Sequence, residues 1–184
     1  DIPVEALRDQ FEANFFGWHD LTRRIVPVMR AEGHGRIVNC SSILGSVPLR
    51  YRGAYCASKY ALEGLMLCLR ADLAGSGIHV SLIEPGPIES KIALNGSAIF
   101  EGHIDIEHSV HRDAYRAQIE RLRSGKGRSR LKRGPEAVYR ALRHALESNR
   151  PKPHYPVTLP ARAGFLLKRI LPSALFYRMV AGQG

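Results

Sequence analysis

The sequence predicts an α/β fold in which a parallel sheet is covered by helices on both faces. Three observations carry this. Helix-period and strand-like segments alternate through the first half of the chain, and a glycine or proline cluster marks each join. The strand-like runs are short and nearly all apolar, the pattern of strands buried on both faces. Parallel neighbours need a crossover, and the helical segments between the runs are long enough to supply it.

The elements follow in order. Residues from Pro3 to Ala31 read as one long helix, because Val4, Leu7, Phe11, Trp18, Leu21, Ile25 and Val28 recur at helical spacing. Pro27 should bend its last turn, and Gly33-His34-Gly35 should end it. Arg36 to Cys40 is the first strand and leads into Ser41-Ser42. Gly45 to Gly53 is a loop. A second helix spans Ala54 to Ala74 with Leu62, Leu65, Leu69 and Leu73, and stops at Gly75-Ser76-Gly77. Ile78 to Ile83 is the next strand and runs into Pro85-Gly86-Pro87, which cannot continue a sheet. The pattern then loosens for about forty residues, with one short helix expected near Ser109 to Arg123. Pro135 to Glu147 is helical, Tyr155 to Thr158 is a last short strand, and the tail from Ala161 to Val180 is amphipathic and broken at Pro172. We read residues 1–184 as a single domain, with a loop region at 91–133 and a C-terminal tail at 160–184.

Composition narrows the class. With 184 residues and 45% apolar content, the chain can bury a core. No apolar run approaches membrane-spanning length, and Asp1 to Glu5 has neither a basic nor an apolar leader pattern. The three cysteines, Cys40, Cys56 and Cys68, form no Cys-x-x-Cys pair and read as small apolar residues of a reduced, cytoplasmic protein. The net charge of +10 is concentrated, with seven basic residues in the thirteen from Arg121 to Arg133. Such a block is a solvated surface or a site for an anionic partner. No aromatic residues interleave with it to stack bases, so nucleic acid is not expected. The basic, apolar tail keeps a membrane surface open as a minority alternative.

The chemistry concentrates in two places. Tyr55 and Lys59 are one helical turn apart on one face, and a nearby ammonium favours a phenolate. Ser42 stands at the carboxyl end of the first strand, where sites form in parallel sheets, so its hydroxyl can converge with that of Tyr55 on one substrate oxygen. Ser41 is the alternative, and the spacing to Tyr55 favours Ser42. Asn14 lies on the first helix's apolar stripe and needs partners. It either holds a water linking Lys59 to solvent or bridges two elements. Glu84 is expected to fix the Pro-Gly turn by a hydrogen bond. His103, His108 and His111 are read as exposed loop residues rather than metal ligands, and His79 and His144 as structural. No metal site is expected.

Four segments, Asn14 to Gly17, Gly35 to Ser42, Tyr55 to Lys59 and Pro85 to Ser90, resemble in order and spacing those of the short-chain dehydrogenase/reductase family. The resemblance covers roughly Val4 to Ser90 and implies the C-terminal portion of a Rossmann-like, doubly wound parallel sheet. It implies Tyr55 as general acid/base, Ser42 as the residue that positions the substrate oxygen, Lys59 as a ribose-binding residue that lowers the tyrosine pKa, and Asn14 as a support of the proton relay. Pro85, Gly86, Ile88 and Ser90 would contact the nicotinamide of NAD or NADP; Ser90 stands where the family usually has threonine. The family's glycine-rich phosphate turn is not in this sequence, and Gly125-Lys126-Gly127 follows no strand and is no substitute. The residue that would choose between the two coenzymes is missing with it. The wording from Glu84 to Ser90 and the basic tail are similar to the 17β-hydroxysteroid and retinol dehydrogenase branch. That implies a small-molecule substrate, a bulky, apolar alcohol or ketone, and the family resemblance implies a homo-oligomer that pairs through the helices at 3–31 and 54–74. The alternative is a catalytically inactive fragment that serves as a dimerisation unit.

Overall fold

The structure, a computed structural model, describes residues 1–123 and 131–182. The chain begins with α1 (Val4–Phe11), a π-helical turn (Glu12–Phe16) and α2 (Gly17–Glu32). After β1 (Gly35–Cys40) come a 3-10 turn (Ile43–Gly45), α3 (Gly53–Asp72) and β2 (Ile78–Glu84). The rest comprises α4 (Ile92–His103), α5 (Arg112–Arg123), α6 (Glu136–Glu147), β3 (His154–Pro156), α7 (Leu159–Ile170) and α8 (Ser173–Ala181). Among the described residues the strands form one parallel sheet in the order β1-β2-β3, with Ile37 opposite Val80 and Ile83 opposite Tyr155.

Alternation along the strands sends side chains to two cores. On one face Ile37, Ile78, Val80 and Leu82 meet Leu62, Met66 and Leu73 of α3 and its end, with Phe15, Val26 and Met29 packed beside them. On the other, Ile83 and Tyr155 meet Ala145 of α6, with Val38, Val138, Ala141 and Leu142 around them. The sheet is therefore covered on both sides, as its apolar strands predict. The turns at its N-terminal edge interlock. Gly77 has φ +78°, and a Cβ there would stand 2.3 Å from the Gly33 carbonyl oxygen, so the turn that ends α2 and the one that enters β2 need a glycine between them.

Several expectations change. The first helix is continuous from Val4 to Glu32 but contains a π turn, and Pro27 is carried inside α2, which runs on to Gly33 at φ 71°. The stripe used to recognise it faces outward: Val4, Leu7, Trp18, Leu21, Ile25 and Val28 are exposed, while Thr22 is buried and Phe15, Val26 and Met29 face the core. Periodicity reports an apolar face but not what covers it. The stretch after Ser90 contains α4 as well as α5. Asn95 and Gly96 sit in the middle of α4 and are weak helix formers, which hides it in the sequence. The basic block lies partly at 124–130, outside the described residues. Of the cysteines, all free, only Cys56 is buried; Cys40 and Cys68 are exposed, so the small-apolar reading holds for Cys56 alone.

At the carboxyl end of the sheet the core is polar. Glu84, the last residue of β2, is fully buried, and its carboxylate accepts from Nδ1 of His154, the first residue of β3. This corrects the expectation that the side chain fixes the Pro-Gly turn. It ties β3 to β2 instead, where the ladder is short and needs support. Glu63 of α3 closes on the pair, with Oε2 3.8 Å from the same Nδ1. Burial pushes the Glu63 carboxyl up to about 7, the charge of Glu84 pushes the same way, and Ser41, His154 and Lys59 oppose them. Hydrogen bonding to Glu84 raises the His154 imidazole against the effect of burial.

Two predictions follow from these cores. Leu62 is 0% exposed, and Leu62→Ala should lower the unfolding free energy by about 2–5 kcal/mol, read from urea denaturation. The second concerns pH. A carboxyl raised in the folded state keeps a proton that the unfolded chain releases, so stability falls as pH rises from about 4.5 through about 7. His154, also raised, contributes stability that is full below its ordinary 6.5 and is lost as pH rises through its folded value. Urea midpoints should therefore decline from mildly acid to mildly alkaline pH, and Glu63→Gln should flatten the decline. A flat profile in the unmodified chain would contradict this.

Candidate active site

The two hydroxyls are delivered by β1 and α3. The Ser41 amide donates to the Ile83 carbonyl at 2.8 Å, which carries the ladder one residue beyond β1. Ser42 is extended, with φ −161° and ψ 158°, and its hydroxyl accepts from the Leu44 amide at 3.1 Å, capping the 3-10 turn. The turn is held to the end of β2 by the Ile43 amide, which donates to the Pro85 carbonyl at 2.9 Å. The chain then reverses through Tyr51, whose φ of 61° is left-handed, and enters α3 at Gly53. Tyr55 is on the first turn of α3, and Lys59 is one turn on.

At the carboxyl end of β1 the Ser42 side chain stands beside the Tyr55 phenol and interacts with it. Ser41, buried, faces the other way, toward Glu63. Of the two serines, Ser42 is the one beside Tyr55. Lys59 is buried, and its ammonium donates to the Cys40 carbonyl at 3.0 Å while standing 5.8 Å from the centre of the Tyr55 ring. Burial pushes the Lys59 ammonium down and the Tyr55 phenol up; the Ser42 hydroxyl and the Arg52 charge pull Tyr55 the other way without winning. The expected depression of the tyrosine by Lys59 is not what dominates here. The ammonium is engaged by β1, and loss of water outweighs it.

Asn14 lies in the π turn, and its amide donates to the Ser58 hydroxyl at 3.1 Å. Ser58, fully buried, donates in turn to the Tyr55 carbonyl at 2.9 Å. Asn14 therefore reaches α3 between Tyr55 and Lys59 and bridges two elements. The single extra residue of a π turn rotates a side chain out of ordinary helical register, and such turns are frequent at functional sites.

Pro85, Gly86 and Pro87 leave β2 beneath α7. A Cβ on Gly86 would stand 2.2 Å from Thr158 Oγ1, so glycine is required there by packing. Ile88 is half-buried and forms an isolated parallel bridge with Arg133, and Ser90 is exposed. Among the loop histidines, His103 lies 3.6 Å from Asp9, His108 pairs with Asp105, and His111 stacks edge-on against Tyr51 and Tyr115. His144 hydrogen-bonds the Tyr155 hydroxyl at 2.9 Å. Metal-ligand residue types do meet elsewhere among the described residues, at Glu63, Glu84 and His154, where the imidazole is already bonded to a carboxylate. Sequence reasoning passed over Ser58, Glu63 and His154. The i+4 step from Lys59 to Glu63 was a signal, whereas nothing local marks His154. A hollow of about 530 Å³ between α4 and α5 is lined by Glu101, Ile106 and Arg116 among others, and not by the Tyr55 group. No helix among the described residues is long and apolar enough to cross a membrane.

Comparison with known proteins identifies the family. Residues 1–98 match the family model described as short chain dehydrogenase. The chain is 42% identical over 182 residues to the uncharacterized oxidoreductase YbbO of Escherichia coli, which covers 98% of this chain and 61% of that protein. It thus spans about three fifths of the length of that relative. Among solved structures it resembles a short-chain dehydrogenase from Streptomyces avermitilis, with a TM-score of 0.73 and 25% identity over all of this chain and 65% of the other. It also resembles the closed form of a serine dehydrogenase complexed with NADP+, with a TM-score of 0.64 and 25% identity over 85% of this chain and 56% of the other. With the Ser42, Tyr55 and Lys59 arrangement at the carboxyl end of a parallel sheet, these matches show that the chain belongs to the short-chain dehydrogenase/reductase family.

Proposed function

We propose that the protein is an NAD(P)-dependent oxidoreductase that interconverts an alcohol and a carbonyl, and that this chain carries its proton-handling groups. The observation that carries the reading is the convergence of the Ser42 and Tyr55 hydroxyls beside a buried ammonium. The residues fit the nicotinamide end of a dinucleotide. Lys59 offers a cationic donor at the sheet end, the Pro85–Pro87 turn lies beside the same end, and Ser90 presents an exposed hydroxyl. The serine dehydrogenase neighbour complexed with NADP+ supports this class of coenzyme. When bound, the nicotinamide supplies or accepts the hydride.

The chain's own residues handle the oxygen. Ser42, fixed by the Leu44 amide, holds the substrate oxygen against Tyr55. Tyr55 donates its proton to a carbonyl oxygen in reduction and takes one from the hydroxyl in oxidation. The upward push on its pKa keeps the phenol protonated at neutral pH, which suits donation to a carbonyl. Lys59 lies close enough to stabilise the phenolate that forms, and Asn14 holds this part of α3 through Ser58. The similarity to the hydroxysteroid and retinol dehydrogenase branch supports a small apolar alcohol or ketone as substrate. The outward stripe of α1 and α2, with Leu21 58% exposed, supports a homo-oligomer through the helices at 3–31 and 54–74.

In the full-length protein, Tyr55→Phe should lower turnover of apolar secondary alcohols by about 10²–10⁴-fold, the usual worth of a positioned acid/base. Binding of NADH or NADPH, followed by nicotinamide fluorescence, should remain. Undiminished turnover would overturn the assignment, and the same titrations choose between the two coenzymes.

A further inference from the structure

The chemistry above leaves Glu63 unused, yet α3 buries it one turn beyond Lys59. Tyr55, Lys59 and Glu63 fall at i, i+4 and i+8, on one helical face directed at the carboxyl end of the sheet. Glu63 is 6% exposed. A Cβ on Gly45 would stand 2.8 Å from Glu63 Cγ and 2.9 Å from Ser41 Oγ, so the carboxyl group is wedged beneath the turn that carries Ser42. From β3, His154 Nδ1 approaches Oε2 at 3.8 Å and is itself bonded to Glu84 of β2. One carboxylate oxygen on each acid, Oε1 of Glu63 and Oε2 of Glu84, is buried without a hydrogen-bond partner. Two carboxylates this close, this dry and this poorly satisfied do not both ionise without nearby positive charge. The charges in reach are His154, on which Arg70 also acts, and Lys59.

We propose that Glu63 is a positioning residue for the Tyr55–Lys59 pair: with Glu84 and His154 it forms a proton-sharing cluster whose charge sets the electrostatic field at Lys59. The inference rests on the oxidoreductase reading of the same site. While the cluster keeps its proton, the Lys59 ammonium faces a neutral carboxyl group and burial is opposed by less negative charge. When Glu63 gives its proton to solvent past the half-exposed His154, the resulting anion stabilises the Lys59 ammonium. Because burial places the Glu63 ionisation at about 7, the change falls in the neutral range. The other groups facing this region are the Ser41 hydroxyl on Glu63 and the Cys40 thiol on Lys59.

The test is the pH dependence of kcat/KM for alcohol oxidation by the full-length protein with its coenzyme. The unmodified enzyme should rise through two ionisations, the lower one near neutrality. Glu63→Gln should lose the lower step and be about tenfold slower above it, the size of a one-unit change in the Tyr55 pKa. Glu63→Asp should restore a lower step. A Glu63→Gln enzyme that keeps the two-step profile overturns the proposal, whatever its rate, because a merely structural role would change the rate and leave the ionisations in place. If Glu63→Gln does not fold, NMR of the unmodified protein decides: the Glu63 carboxyl carbon and the His154 ring should titrate together in the neutral range, and separate titrations at ordinary values overturn the cluster. Full turnover by Tyr55→Phe would sink the oxidoreductase reading instead, and the NMR titrations would still decide for or against the cluster.

Discussion

One helix must do two incompatible things on the same side. Along α3, Leu62 and Met66 are driven into the apolar face of β1 and β2, and Lys59 and Glu63, between and beside them, are carried into the same dry space. Burying an ammonium and a carboxylate is costly unless each finds partners. The hydrogen bond from Lys59 to the Cys40 carbonyl resolves the first half of that conflict, and it fixes α3 to the end of β1 as it does so. Ser42 is two residues beyond that carbonyl and Tyr55 one turn before that ammonium. The Ser42 and Tyr55 hydroxyls are thus located by the way the protein satisfies a buried charge.

The second half of the conflict is resolved less completely. Glu63 meets Glu84 and His154 where β2, β3 and α3 converge, and the carboxylates retain oxygens with no donor. This cluster also holds together the weakest part of the sheet, since β3 contributes only three residues to the ladder. Charge and architecture are linked there. Whatever protonates the cluster alters both the field at Lys59 and the grip of β3 on β2. The turn at Gly86 presses on Thr158, whose hydroxyl accepts from the Ala161 amide, so α7 is seated against the same corner.

Much of this was legible in the sequence because it follows from local rules. The strand runs at β1 and β2, the crossover helix α3, the glycine stop after α2 and the break at Pro172 are each set by residues within a few positions. So is the placement of Tyr55 and Lys59 on one face. What stayed hidden was non-local. His154 is 70 residues from Glu84 in the chain, and only the topology joins them. The outward direction of the α1–α2 stripe depends on which face the sheet occupies, and that was decided by Phe15, Val26 and Met29 rather than by the more numerous exposed residues. The helix α4 was masked by Asn95 and Gly96, where tertiary context overrides propensity.

The π turn shows how a local irregularity can answer a distant requirement. A strictly α-helical first segment would keep Asn14 in the register of its stripe, and that stripe faces outward. The π turn brings Asn14 against α3, where its amide finds the Ser58 hydroxyl instead of standing unpaired. The three phenylalanines around it, Phe11, Phe15 and Phe16, pack edge-on or tilted with centroids 5.2–6.3 Å apart. Ser58 passes the restraint to the Tyr55 carbonyl. The first helix thus steadies the opening turns of α3 from one side while β1 holds Lys59 from the other. Tyr55 is clamped between two independent supports, and a phenol raised in pKa by burial is held in a fixed direction.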